Sequence, residues 1–116
     1  MLYTHITENT ITNGGASATA AISIGAEARN AQVNGHSVQN RSHGNGIVFQ
    51  GGVSGFQCVG NHISLQISGG TDIYVSTGTS DHYIILGNIR DGSDTSTNFI
   101  IDDGTGTHKT IGDNQS

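Results

Sequence analysis

Apolar residues recur along this chain at a nearly constant interval. An apolar residue stands three positions before an asparagine, or in one case a histidine, in segments 6–9, 33–36, 58–61, 85–88 and 111–114. The last positions of these segments are the anchor positions 9, 36, 61, 88 and 114, and glycine stands immediately before three of them. Successive anchors are separated by roughly 26 residues, a period typical of proteins built from stacked structural repeats.

Two further sets of apolar positions keep the same period. The first lies two residues after the anchor positions and consists of Ile11, Val38 and Ile63. The second is a pair in each repeat: Ile22 and Ile24, Ile47 and Phe49, Ile73 and Val75, and Phe99 and Ile101. One residue separates the members of each pair, which is the pattern of a strand with one buried face. In the fourth repeat Arg90 takes the place of Ile63, so we expect a bulge or a shifted turn there.

These patterns predict an all-β fold, a parallel β-helix of about five coils with roughly 25–27 residues per coil. The repeat contains no helical apolar period and is too short for a strand–helix–strand unit followed by another strand. Successive coils should pair in parallel about 4.8 Å apart, so that like residues stack on like. The interior should then hold a pile formed by Ile6, Val33, Cys58, Ile85 and Ile111. The anchor asparagines should pass amide hydrogen bonds from coil to coil.

The composition fits one such domain spanning residues 1–116. Eighteen glycines, no proline and a charged fraction of 11% indicate turns between many short strands rather than a disordered chain. A net charge of −5 with four fixed cations argues against nucleic acid as a partner. The first residues have neither the basic nor the apolar region of a signal peptide, so we expect none, and no apolar stretch reaches membrane-spanning length. The single cysteine, Cys58, falls in an Ile/Val column and is interpreted as a core residue.

Turn motifs of the form I-x-G-N-x-I and strand motifs of the form G-I-x-V/F alternate along the chain, as in segments 58–63 and 46–49. With the closing segments 83–89 and 99–111, they resemble the right-handed parallel β-helix proteins of the pectate-lyase-like superfamily, and within it the tailspikes and tail fibres of bacteriophages. The resemblance implies a right-handed coil. It also implies a virion protein of the phage tail, made in the host cytoplasm, that assembles as a homotrimer with other tail proteins. Because the superfamily contains both enzymes and adhesins, its fold does not decide the activity.

Enzymatic chemistry would need two facing carboxylates, and the candidates are Asp72, Asp102 and Asp103. By repeat register Asp102 should lie in line with Ser76, and Asp72 with Asn98, which would separate the two acids too widely for a glycosidase pair. Asp102 and Asp103 are adjacent and should point to opposite faces of a strand. A lyase of the superfamily would be expected to hold an arginine or lysine beside a cluster of acids, and repeat register gives no cation such a neighbourhood.

Metal binding and surface binding remain as alternatives. His82 and His108 are one repeat apart and should stack, but no cysteine or carboxylate in their column completes a ligand set, so we expect no metal and no cofactor. The outward column Ser23, Val48, Tyr74 and Ile100 is mostly apolar. It predicts a face that is buried against sister chains or that stacks sugars, with Tyr83 as a further contact, although exposed apolar residues on a sheet are also common without a partner.

The leading hypothesis is therefore a non-enzymatic, trimeric tailspike or tail-fibre module that binds a bacterial surface polysaccharide or forms the receptor-binding tip. The first alternative is a polysaccharide lyase or glycoside hydrolase, or a fragment of one, that uses Asp102, Asp103 or Asp72. The second is a structural spacer in the virion.

Overall fold

The computed structural model describes residues 5–7, 10–12, 20–26, 28–40, 44–66 and 69–116, with the backbone alone described for 5–7, 10–12 and 40. These residues form thirteen short strands and no helix, and so no helix with the length and apolar character needed to cross a membrane. The strands are β1 (His5–Thr7), β2 (Thr10–Thr12), β3 (Ala20–Ile24), β4 (Gln32–Asn34), β5 (Ser37–Asn40), β6 (Asn45–Phe49), β7 (Gln57–Val59), β8 (His62–Leu65), β9 (Thr71–Gly78), β10 (Tyr83–Leu86), β11 (Ile89–Arg90), β12 (Asn98–Gly104) and β13 (Lys109–Gly112).

Each strand from β1 to β10 pairs in parallel with the strand that comes three later in the chain, which produces three sheets. Sheet A has the order β1-β4-β7-β10-β13, sheet B the order β11-β8-β5-β2 and sheet C the order β12-β9-β6-β3. The chain is therefore an all-β parallel solenoid, and this part of the sequence prediction is confirmed.

The solenoid has about three turns, so the prediction of about five coils is wrong. The turns β4–β6, β7–β9 and β10–β12 each supply one strand to every sheet. The anchor at position 114 follows β13, which is the only strand that its repeat contributes. In the first repeat, residues 8–9 and 13–19, including the anchor Asn9, lie outside the described residues. Counting anchors therefore overestimated the number of complete turns.

The predicted register of the columns is confirmed in sheets A and B. The interior pile of sheet A is confirmed for Val33, Cys58 and Ile85, but Ile111 is 41% exposed and so does not belong to it, and the side chain of Ile6 lies outside the described part of the structure. In sheet A the Cα partners run from Ile6 to Val33, Cys58, Ile85 and Ile111. In sheet B Arg90 lies in register with Ile63, as expected, but the pairing of β11 with β8 is regular, so the bulge expected there is wrong. The irregularity lies instead in β12, between Asp102 and Gly104.

In sheet C the register of the last strand differs from the prediction by one residue. Ile100 pairs with Ile73 and therefore belongs to the column of Ile22 and Ile47, and Ile101 pairs with Tyr74. The assignment of Ile100 to the outward column is thus wrong, and Ile101 takes that place. The same shift puts Asp102 in line with Val75 instead of Ser76, and Asn98 in line with Thr71 instead of Asp72.

The core is a narrow column of aliphatic and aromatic side chains. The rings of Phe49, Phe56 and Tyr83 form one continuous stack, with centroids 3.9 Å apart for the first pair and 4.5 Å for the second. Tyr83 is 1% exposed, so its assignment to a surface contact is wrong. Cys58 is buried as a free thiol whose pKa is raised by burial, which agrees with a core role.

An asparagine ladder closes one corner of the coil, between sheets A and B. Gly60 and Gly87, the residues before Asn61 and Asn88, have φ of 69° and 64°, a left-handed conformation that glycine adopts without a Cβ penalty. This turn points each asparagine side chain into the interior, where Asn61 and Asn88 are fully buried. The glycine before the anchor position therefore forms the turn, and the side chain of the anchor asparagine packs in the interior.

Candidate functional site

The corner between sheets C and A presents exposed polar and charged side chains from several successive repeats. An open depression of about 470 Å³ is lined there by Arg29, Asn30, Ser54, Gly55 and His82. Arg29 is held by bonds from Nη1 to the carbonyl oxygens of Ala26 and Ala28, at 3.1 and 2.9 Å. Apart from His82, these residues are not predicted from the sequence, because their columns keep the repeat spacing but mix different residue types.

His82 and His108 stack at the same corner, as their spacing predicts. Their ring centroids are 4.5 Å apart and the ring planes differ by 11°. As expected, their own column supplies no carboxylate, but Asp81, from the neighbouring column, reaches both rings. Its Oδ2 lies 3.0 Å from Nδ1 of His108 and 3.4 Å from Nδ1 of His82. These three residues are the ones in the described part of the chain whose ligand atoms converge for a metal ion.

The Asp81 carboxylate is fixed by the next turn of the solenoid. Its Oδ1 accepts a hydrogen bond of 2.7 Å from the backbone N–H of His108. Hydrogen bonds from the side chain and the backbone of His108 lower the pKa of Asp81 to about 2. Asp81 is therefore an anion at neutral pH, and its free oxygen faces the two imidazoles.

A second polar cluster lies at the corner between sheets B and C, beneath the loop of residues 91–97. Asp72 is completely buried there. Arg90 Nε lies 3.6 Å from its Oδ2, Ser96 Oγ donates to its Oδ1 at 2.6 Å, and Arg90 Nη2 donates to Asp94 Oδ1 at 3.2 Å. The expectation that no cation has acidic neighbours is therefore wrong for Arg90. Burial raises the pKa of Asp72 to about 7 against the opposing effects of Ser96 and Arg90.

The geometry of this cluster indicates a role in holding the fold together and not in catalysis. A carboxylate with no exposed surface cannot contact a polysaccharide, so Asp72 is unsuited to the catalytic role considered for it. Asp72 Oδ2 also has no hydrogen-bond partner, although it lies beside the guanidinium of Arg90. The loop is tied down by Asp94, whose Oδ2 accepts a bond of 2.7 Å from the N–H of Leu65. Arg90 and these acids thus close the corner of the last turn.

Asp102 belongs to a third cluster, with Tyr83 and Lys109. The Tyr83 hydroxyl donates to Asp102 Oδ1 at 2.5 Å, and Lys109 Nζ lies 2.8 Å from Oδ2. Burial raises the pKa of Asp102, but the hydrogen bonds from Lys109 and Tyr83 outweigh it and leave this pKa below its usual value. Burial and the neighbouring carboxylate raise the pKa of Tyr83 to about 12. Asp102 is thus ionised, and Lys109 is a second cation with an acidic neighbour.

Sheet C presents the outward column, with Ile101 in the position predicted for Ile100. Val48 is 5% exposed in the single chain, and Tyr74 and Ile101 are half-buried. The Tyr74 hydroxyl donates to Asp103 at 3.3 Å, so Asp103 accompanies the outward column while Asp102 reaches Tyr83. Val48 is therefore covered by its own neighbours, and Tyr74 and Ile101 are the apolar groups that this column offers to a partner.

Comparisons with protein-family models, with curated proteins and with solved structures gave no match to this chain. The proposals below therefore rest on the geometry of the fold and its surfaces.

Proposed function

We propose that this chain is a right-handed parallel β-helix module of a phage tailspike or tail fibre, non-enzymatic and trimeric, which binds a bacterial surface glycan. The depression lined by Arg29, Asn30, Ser54, Gly55 and His82 carries this proposal. Its volume of about 470 Å³ suits a short oligosaccharide segment. Its walls come from three successive repeats and carry a guanidinium, an amide, a hydroxyl and an imidazole, which are the groups that bind sugar hydroxyls and carboxylates.

Trimerisation is supported by the outer face of sheet C and by the ends of the solenoid. Tyr74 and Ile101 form a partly exposed apolar pair on a regular sheet, and such a pair fits burial around a threefold axis. At the end of the coil, Ile89 and Ile111 are 44% and 41% exposed. A coil of about three turns gains stability when these surfaces are covered. The right hand of the coil follows the resemblance and the general preference of parallel crossovers.

The trimer is tested by solution mass. Native mass spectrometry should give three times the chain mass of 12.0 kDa. Tyr74→Asp should yield a folded monomer, because three carboxylates would be brought to one apolar interface. Thr110→Asp, which places the same carboxylate at an exposed position of sheet A, is the matched control and should leave the trimer intact. A wild-type monomer would contradict the trimeric assembly.

Glycan binding is tested on arrays of capsular and lipopolysaccharide oligosaccharides. Arg29→Gln should weaken binding by about tenfold or more, since a charged hydrogen bond contributes about 1.5–3 kcal/mol. The glutamine amide can still donate to the corner carbonyls. His62→Ala, on the exposed face of sheet B, is the control and should bind as the wild type does. If the trimer binds no glycan, and host adsorption is the same for Arg29→Gln as for the wild type, the structural spacer becomes the favoured alternative.

The enzymatic alternative is supported by one observation, the contact of Asp102 with Lys109 and Tyr83. The Asp102 carboxylate and the Lys109 amine are 15% and 26% exposed and could exchange protons with a sugar, while the buried Tyr83 hydroxyl donates to Asp102. Release of reducing ends or unsaturated uronates from polysaccharide, abolished by Asp102→Asn, would replace the adhesin proposal by this one.

A further inference from the structure

Three side chains with metal-binding atoms meet at the corner between sheets C and A. Asp81 and His82 immediately precede β10, and His108 immediately precedes β13. Each offers one ligand atom, and these atoms all lie within 4.8 Å of one another. We propose that Asp81, His82 and His108 form a binding site for a divalent transition-metal ion such as Zn²⁺. This inference does not rest on the proposed function, although His82 also lines the depression.

The backbone of the solenoid brings the three residues together. Tyr83 pairs with Lys109, so His82 and His108 occupy equivalent positions on neighbouring turns. The N–H of Tyr83 donates to the carbonyl of His108 at 3.2 Å, and the N–H of His108 donates to Asp81 Oδ1 at 2.7 Å. The carbonyl of Asp81 in turn accepts a bond of 3.1 Å from the N–H of Gly55. The main chain of the site is thus fixed on both sides before any ion binds.

The remaining carboxylate oxygen occupies the centre of the cluster. Oδ2 of Asp81 lies 3.0 and 3.4 Å from the Nδ1 atoms of His108 and His82. An ion would replace these contacts with three direct bonds of about 2.0–2.2 Å. The stacked rings must turn so that both Nδ1 lone pairs point to the ion. This rotation is open to them because each imidazole side chain is 67% exposed.

The ligand set decides the class of metal. Two imidazoles and one carboxylate suit Zn²⁺, Ni²⁺ or Cu²⁺, and three protein ligands leave at least one coordination position for water. Calcium and magnesium prefer oxygen ligands, of which this site offers one side chain. We therefore expect Zn²⁺ to bind and Ca²⁺ not to bind.

The experiment is a calorimetric titration of the full chain with ZnCl₂ at neutral pH, without glycan. The wild type should bind one ion per chain. His82→Asn and His108→Ala should each weaken the affinity by about a hundredfold or more, because loss of even an outer-shell partner costs tenfold to a hundredfold. Asparagine is chosen at position 82 because it tolerates the left-handed backbone found there, where φ is 54°. CaCl₂ should give no binding heat.

The matched control is His62→Ala. His62 also pairs with a carboxylate, that of Asp91 at 2.9 Å, but no second imidazole joins that pair. It should bind Zn²⁺ as the wild type does. Unchanged affinity in both His82→Asn and His108→Ala, or loss of binding in His62→Ala, would overturn the proposal. A second measurement uses the wild-type chain, so its result does not depend on whether the variants fold. The ¹⁵N imidazole shifts of His82 and His108 should move on addition of Zn²⁺ and that of His62 should not, and the reverse pattern would equally overturn the site.

Discussion

Asn88→Ala should lower the free energy of unfolding by about 4 kcal/mol, because it leaves several buried polar groups without partners. In the native chain Asn88 Oδ1 accepts from the N–H and from the amide Nδ2 of Asn61, at 3.0 and 2.9 Å. Its own Nδ2 donates to the carbonyl of Cys58 at 2.9 Å and to Asn114 Oδ1 at 2.8 Å. Alanine replaces none of these bonds, and water has no access to Asn88, which is 0% exposed. Urea denaturation followed by circular dichroism measures the loss.

Asn34→Ala provides the matched control for this prediction. Asn34 is the same residue type at the end of β4 in sheet A, but its Oδ1 is buried without a hydrogen-bond partner. Its replacement should change the free energy of unfolding by less than about 0.5 kcal/mol or raise it slightly, since an unsatisfied acceptor is removed. Equal losses in the two variants would show that the ladder bonds contribute nothing specific.

Arg90→Met should destabilise the protein by about 3 kcal/mol at pH 8, because it removes the cation that faces two buried carboxylates. The side chains of Asp72 and Asp94 have no exposed surface, and that of Arg90 is 20% exposed. Methionine retains an unbranched apolar stem but is shorter than arginine and has none of its donors. Chemical denaturation at a series of pH values measures the effect.

The stability lost in Arg90→Met should become smaller as the pH falls to 5, because the pKa of Asp72 is raised in the folded protein. Its folded pKa of about 7 lies above the ordinary value of 3.8, so its contribution to stability is complete below pH 3.8 and is lost as the pH rises through 7. Without the guanidinium this pKa rises further, so the variant continues to lose stability above pH 7. At pH 5 Asp72 is protonated in both proteins, and only the contacts with Asp94 and Ser96 are lost.

Two variants control this prediction. Arg29→Met removes an exposed arginine that bonds to backbone carbonyls, and it should cost less than about 0.5 kcal/mol. When Arg90→Met is introduced into an Asp72→Asn background, its effect relative to the Asp72→Asn single variant should no longer change between pH 5 and pH 8. If the loss for Arg90→Met is the same at pH 5 and pH 8, Asp72 is not the titrating group.

The parallel stacking could be predicted from the sequence because residues that stack in a solenoid are separated by a nearly constant number of positions in the chain. Ile6, Val33, Cys58, Ile85 and Ile111 could be aligned from spacing alone, and their backbone pairs follow that alignment. The register of β12 could not be chosen in this way, because Phe99, Ile100 and Ile101 are all apolar and satisfy both faces of a strand. The observed interval from Ile73 to Ile100 is one residue longer than expected.

The polar clusters show what repeat spacing leaves out. Spacing reports neighbours one turn apart, whereas Arg90 meets Asp94 and Ser96 through a loop that folds back within its own repeat. Asp81 reaches the histidines from an adjacent column, which a search along one column does not detect. Tyr83 did leave a signal, since Phe56 stands one repeat earlier in the chain and the two rings stack in the core. The residues of the depression keep the repeat spacing, but their columns mix residue types, so spacing alone does not mark them as a site.

The pairing of every strand with its counterpart one turn away makes the energetics of this molecule nearly one-dimensional. Its stability is close to a sum of terms for single turns and for the junctions between adjacent turns. A destabilising substitution in a middle turn separates the solenoid into two shorter stacks of turns, whereas the same substitution in a terminal turn affects that turn alone. Length is then an adjustable property: duplicating one whole turn preserves all existing neighbours, but inserting a single residue within a strand reverses the inner and outer faces beyond it.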